Sequence, residues 1–323
     1  MKALAPTSLF TIAAILLAGC ASEPDFGEEE FLSDREQKSA LAKTKPPQYF
    51  GFSAFPTQSG IGYRGTARLH PNQIAKMDFK RDDIPVIDFR GKSRRDNGNV
   101  LLDTSSMYSW VEFGTAQDLD VTFMGMKDRL APYPRQHIGG AKAFAGVIGQ
   151  IRLDQMFIDN IPIYVRMARG SLGPLTRGVY DPHVDMVLGY DVLGLFETIQ
   201  INLREGVVQF SPSHPYQPNE DLLMSQAQIL PRQGYGLVIE GSVYGQPTPV
   251  VIDLAGDYDF MRSDKKVNTT KQVSLGGLVF RHVPTTHLPI AGVLPRAGRR
   301  MFENYLITIC PNQGFVYFER YPE

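Results

Sequence analysis

Apolar and polar residues alternate in short runs along most of this chain, and Gly, Pro, Asn and Asp punctuate the runs. Alternation with a period of two puts successive side chains on opposite faces of a strand. On that basis Ile84–Phe89, Ile161–Val165 and Ile199–Leu203 are predicted strands. Asp96-Asn97-Gly98-Asn99 carries an Asn-Gly pair, which predicts a tight hairpin turn after the first of them. In the second half, Leu237–Pro247 predicts a hairpin that leads into an apolar strand ending at Asp253. Helical spacing is confined to short stretches, Val192–Phe196 and Arg300–Tyr305. A stretch carrying Pro212, Pro215 and Pro218 separates the halves. The pattern predicts a mostly β chain.

Two segments read as copies of one strand-turn unit. Val100-Leu101-Leu102-Asp103-Thr104-Ser105-Ser106 and Val250-Val251-Ile252-Asp253-Leu254-Ala255-Gly256 each deliver one aspartate from an apolar strand into a turn of small residues. Each copy is followed by a similar closing pattern. One runs from Val187-Leu188-Gly189 through Phe196 to Val207–Phe210, the other from Val293-Leu294-Pro295 through Phe302 to Phe315–Phe318. A two-fold pairing of such copies brings the carboxylates face to face. Two carboxylates at hydrogen-bonding distance cannot both ionise comfortably, so they share a proton and act as an acid/base pair. An isolated Asp-Thr-Ser-Ser is more often a structural turn; the duplication is what points to chemistry.

On these motifs the chain resembles the pepsin-like aspartic peptidases, with shorter loops closer to retroviral-type and small bacterial members. Asp103-Thr104-Ser105-Ser106 matches the family's Asp-Thr/Ser-Gly-Ser/Thr/Ala turn except at Ser105, where glycine is usual. Val187-Leu188-Gly189 matches its apolar-apolar-Gly motif, and Gly146–Leu153 looks like the strand returning from its flap hairpin. The resemblance spans roughly residues 84–320 and implies a bilobal fold of two similar β lobes, one over 49–212 with Asp103 and one over 213–323 with Asp253. It implies Asp103 and Asp253 as the catalytic pair, with Thr104, Ser106 and Gly189 supporting them. The second copy departs from the pattern. Leu254 replaces the hydroxyl residue that links the two turns, Ala255 replaces glycine, and Gly256 offers no side-chain oxygen to Asp253. Pro295 stands where Gly189 stands in the first copy, with Ile290-Ala291-Gly292 as a shifted substitute. The flap tyrosine falls at Gly139-Gly140, with Tyr133 nearest.

The N-terminus carries an address. Met1-Lys2, an apolar stretch from Leu9 to Leu17 and then Leu17-Ala18-Gly19-Cys20 form a secretory signal, too short for a spanning helix of about 20 apolar residues. Leu-Ala-Gly-Cys resembles the bacterial lipoprotein box, which implies cleavage before Cys20 and its lipidation. Ala21, rather than aspartate, implies sorting to the outer membrane, facing the periplasm. Acyl chains anchor firmly because each buried methylene contributes about 0.8 kcal/mol. Residues 21–48 mix Glu28-Glu29-Glu30, Asp34–Lys38 and Pro46-Pro47, which predicts a flexible tether or a marginal helix. With Cys20 lipidated, Cys310 is left without a disulfide partner, and its apolar surroundings predict a buried strand residue.

Composition narrows the partners. A net charge of −1 argues against nucleic acid, and 43% hydrophobic residues suffice for a large core. No Cys/His spacing suggests a metal site, and no glycine-rich loop suggests a nucleotide, so no cofactor is expected. Arg296-Ala297-Gly298-Arg299-Arg300 reads as a solvated basic loop. Two functions fit. One is an envelope-anchored aspartic-type endopeptidase acting on a peptide or protein held between the lobes. The other is a non-catalytic lipoprotein that keeps the fold to bind such a ligand; the damaged second turn favours this reading, and retention of both aspartates favours the first.

Overall fold

Each aspartate ends a strand in the interior of its own sheet. In the first half, Asn97–Leu102 lies between Val86–Arg90, which is antiparallel to it, and Met186–Leu188, which is parallel. Met186–Leu188 then pairs antiparallel with Trp110–Val111, which runs parallel to Met156–Arg166. The second half repeats this order. Val250–Asp253 lies between antiparallel Val238–Ile239 and parallel Arg296–Gly298, which pairs antiparallel with Phe260–Arg262, and that strand runs parallel to Leu278–His287. Strands covered on both faces read as continuous apolar runs, and Val100, Leu101, Leu102, Val250, Val251 and Ile252 are all buried. The structure, a computed structural model, describes residues 29–322 except 58–59, 82, 94–95, 127–128, 177–178, 180, 289 and 291, and does not describe the side chains of 57, 60–62, 129 and 133–136.

A third sheet joins the halves. Its order is Leu223–Gln228, Phe315–Arg320, Tyr305–Cys310, Thr198–Asn202, Val207–Ser211 and Ala75–Asp78, so each half supplies a hairpin and one outer strand. The central seam pairs Ile199 with Ile309 and Ile201 with Ile307. Above it the aromatic pairs Phe196–Phe210 and Phe302–Phe318 occupy matching places in one continuous core. The chain is therefore mostly β and built of two similar lobes that share a sheet. Cys310 is buried in that sheet as a free thiol, and burial pushes it up to about 11.

Two sequence expectations are corrected. Asn97 and Gly98 do not form the hairpin turn. They sit within the strand, opposite Arg90 and Phe89. Glycine is needed there for packing, because a Cβ on Gly98 would stand 2.7 Å from the Asp185 carboxylate and 2.9 Å from the Phe89 ring. Over 21–48, where a flexible tether or a marginal helix is expected, the chain from residue 29 on takes the helix rather than the tether and packs on the body. Glu30–Phe31 pairs with Ala168–Arg169, and Asp34–Leu41 is a helix closed at its start by a Ser33–Glu36 capping box. Charges that read locally as a solvated spacer find partners far along the chain: Glu29 on Arg166, and Glu30 and Glu36 on Arg169. Residues 1–28, with the signal, Cys20 and the rest of the tether, lie outside the described residues.

Candidate active site

The first turn holds its aspartate firmly. Oδ1 of Asp103 accepts hydrogen bonds from the Ser105 amide (2.9 Å), the Ser105 hydroxyl (2.8 Å) and the Ser106 amide (3.0 Å). The Ser106 hydroxyl, expected to support Asp103, instead donates to the Tyr108 carbonyl at 2.8 Å. Ser105, the departure from the family pattern, supplies the side-chain donor. Gly189 lies directly under the turn. Its amide donates to the Ser109 hydroxyl, and a Cβ there would stand 2.5 Å from the Tyr108 carbonyl, so only glycine fits.

The second turn is the same device with different chemistry. Asp253 stands opposite Gly298 in the parallel pair, so Arg296-Ala297-Gly298 is the counterpart of Val187-Leu188-Gly189. The expected alignment on Pro295 is off by three residues, and Ile290-Ala291-Gly292 is not the substitute. A Cβ on Gly298 would lie 2.1 Å from the Tyr258 carbonyl, as one on Gly189 would meet Tyr108. The backbone repeats as well: Tyr190 donates to Ser106 O at 2.8 Å, and Arg299 to Gly256 O at 3.0 Å. At Asp253, where Ala255 lacks the hydroxyl that Ser105 gives Asp103, the side-chain donor is Tyr258, whose phenol donates to Oδ2 at 2.5 Å. Tyr258 also explains Gly256: a Cβ there would run into the Tyr258 ring at 2.3 Å. Arg296 places a guanidinium nitrogen 3.6 Å from the same oxygen.

One side chain spans the two turns. The Thr104 hydroxyl donates to the Ile252 carbonyl at 2.7 Å and accepts from the Leu254 amide at 3.2 Å. Leu254 returns no hydroxyl; it is fully buried in the core, so an apolar contact stands where a reciprocal hydrogen bond is expected. Gly236 and Leu237 of the second lobe also donate to the Ser105 and Thr104 carbonyls. The aspartates therefore face one cavity of about 940 Å³, lined by both carboxylates, by Tyr108 and Trp110, and by Arg296.

A hairpin of Pro132–Ile138 and Ala141–Leu153 reaches over this cavity, turning at Gly139 and Gly140, both with positive φ. It lines the cleft with His137, Ile138 and Gly139. No tyrosine stands at its tip, and the side chain of Tyr133 lies outside the described residues. The tip is tied from behind. Arg166, with a fully buried side chain, donates to the Ile138 carbonyl (2.9 Å), the Gly139 carbonyl (3.0 Å) and Glu29 (2.8 Å).

Electrostatics distinguish the two carboxyls. Burial, reinforced by the charge of Asp253, raises Asp103 above the ordinary carboxylate range, against the lowering effect of the Ser105 and Ser106 donors. Of the two carboxyls, Asp103 is thus the one whose protonated form the fold favours. Behind the first turn, Asp191 accepts from the Ser109 hydroxyl (2.7 Å) and amide (3.1 Å), and burial pushes it up to about 6. Among the described residues no cluster of His, Cys, Asp and Glu is arranged to hold a metal ion.

The residues missed from sequence are Ser105, Tyr258, Arg296 and Arg166. Tyr258 was legible: both copies read Asp, four residues, Tyr, at 103/108 and 253/258. The basic run was misread, since Arg299 is buried against Ala255 O, Asp83 and Asp257 rather than solvated. No family model matches the chain, and no curated protein sequence matches it. Among solved structures it is similar to the aspartic proteinase from Irpex lacteus, at 12% identity and a TM-score of 0.47, over 77% of this chain and 97% of that one.

Proposed function

We propose that this chain is an aspartic-type peptidase, held in the bacterial cell envelope by lipid on Cys20 and facing the periplasm from the outer membrane. The observation that carries the chemistry is the pair of buried aspartates, delivered by duplicated turns into one cavity and tied by Thr104. Ionised Asp253 takes a proton from water as the water attacks a peptide carbonyl, while protonated Asp103 donates to the carbonyl oxygen. Collapse of the tetrahedral species breaks the C–N bond, with a proton passing to the departing amine. An extended substrate lies between the lobes and pairs its main chain with strand edges. Purified protein should cleave unfolded peptides with a bell-shaped pH profile on the acidic side. Asp103→Asn and Asp253→Asn should each abolish cleavage and leave the fold intact. Activity indifferent to both substitutions would refute the dyad.

One observation favours a second reading. Arg296 offsets the charge of Asp253, and a neutralised base activates water poorly. In that case the cleft binds peptide without cutting it, and binding without cleavage at any pH would select this reading. The anchor has its own test: palmitate should label the wild type and not Cys20→Ser, and equal labelling of both would dispose of it.

A further inference from the structure

The position of Arg296 sets the two lobes apart. Arg296 pairs with Val251 in the second lobe, where the first lobe pairs Val187 with Leu101. Val187 is fully buried, whereas the arginine lifts a charge from the same place in the sheet into the cleft, leaving 17% of its side chain exposed. A valine would pack there without desolvating an ion, so the charge calls for a use.

The ion pair with Asp253 accounts for only part of it. Its 3.6 Å separation is longer than the 2.7–2.9 Å typical of a charge-assisted hydrogen bond, roughly speaking. The guanidinium carries five N–H donors, and its buried Nε has no hydrogen-bond partner among the described residues. The donor set exceeds what Asp253 takes up. The rest of the cleft points the same way. Arg64 and His137 also line the cavity, with Arg64 over the Phe55 ring at 6.0 Å. Among the described residues the only carboxylates lining the cavity are Asp103 and Asp253, and burial favours the protonated form of the first while the second faces Arg296.

We infer that the cleft accepts a peptide segment bearing a carboxylate and that Arg296 is the residue that reads it. The inference rests on the cleft being peptide-binding, as proposed above, but not on cleavage. The recognised carboxylate is either an acidic side chain or a chain terminus, and both present the same two oxygens to the guanidinium.

The test uses four fluorescent peptides of one length, with Glu or Gln at one central position and a free or amidated C-terminus. Affinity is read by anisotropy at a pH where Glu is ionised, using the full chain carrying Asp103→Asn so that the probe survives. A carboxylate should tighten binding at least about tenfold over the neutral, amidated Gln peptide. Which of the two carboxylates does so identifies the source. Adding Arg296→Met should level the four affinities, and Arg296→Lys should keep part of the preference. Equal affinities for all four peptides, no binding of any, or a preference that survives Arg296→Met would overturn the inference. If Arg296→Met fails to fold, the Arg296→Lys protein and the selectivity of the parent chain decide. Selective binding without cleavage by the unsubstituted chain would remove the dyad mechanism and leave this inference standing; cleavage without selectivity would do the reverse.

Discussion

Replacing Tyr258 with phenylalanine isolates the feature that most distinguishes the second turn. The ring packs over Gly256 and under Gly298 and is unchanged by the substitution, so no cavity opens. What is lost is one hydroxyl, 2.5 Å from Oδ2 of Asp253, a residue that is 1% exposed. Water cannot take its place readily, and the nearest remaining cation on that oxygen is Arg296 at 3.6 Å. A hydrogen bond to a charged group contributes about 1.5–3 kcal/mol, and a buried acceptor left without it incurs most of that. Tyr258→Phe should therefore lower the unfolding free energy by about 2 kcal/mol at neutral pH, read from the urea midpoint with the slope unchanged. In a peptide-cleavage assay kcat should fall by roughly ten- to a hundredfold, since the same bond orients the carboxylate proposed as the base.

The companion substitution checks the packing side of the argument. Gly256→Ser restores the side-chain oxygen seen at Ser106, but its Cβ would meet the Tyr258 ring at 2.3 Å. Alone it should destabilise by at least about 2 kcal/mol through overpacking. Introduced into a Tyr258→Ala background, its own increment should be far smaller, because the ring has gone. The double-mutant cycle then reads the coupling directly. A Tyr258→Phe protein within about 0.5 kcal/mol of the parent and equally active would refute the role given to the phenol.

Further outcomes follow from the same geometry. Thr104→Val, nearly isosteric, removes the bond to Ile252 O and strands the Leu254 amide, and should cost about 2 kcal/mol together with most activity. Glu29→Gln leaves the buried Arg166 charge without its carboxylate, and should cost about 2–3 kcal/mol and speed hydrogen exchange in the 132–141 hairpin. Because Asp103 is raised in the fold, its contribution is present at low pH and lost as pH rises through its folded value; Asp103→Asn should therefore melt above the parent at neutral pH, with the gap closing below about pH 4. Asp191, pushed up to about 6, has the same sign, so it should withdraw at most about 3 kcal/mol of stability between about pH 4 and pH 6, visible in urea titrations across that window.

The duplicated strand-turn unit was legible because its strands are buried on both faces, so the apolar runs ending at Asp103 and Asp253 are continuous and unmistakable. The partner strand of the second copy was not. Its Arg296-Ala297-Gly298 carries a charge where an apolar residue is expected, so the apolar Val293-Leu294 three residues earlier took its place in the alignment. Only the parallel pairing with Asp253 fixes the register. The packed arm after residue 28 was hidden for a similar reason. Glu29, Glu30 and Glu36 read as a solvated run until Arg166 and Arg169, more than a hundred residues away, are brought beside them. The Asn-Gly pair at 97–98 gave a strong local signal that tertiary packing overrode, since Gly98 answers to Phe89 and Asp185 rather than to a turn.

Whether Asp103 and Asp253 act as one coupled acid/base unit is tested by carboxyl titration, without waiting for a substrate. With ¹³C-labelled aspartate, the Asp103 resonance is assigned by its loss in Asp103→Asn and followed against pH. Asp103 should titrate clearly above the ordinary carboxylate range, and Asp253→Asn should move it down by removing the charge beside it. An Asp103 carboxyl that titrates near 3.8 and does not respond to Asp253→Asn would contradict the dyad.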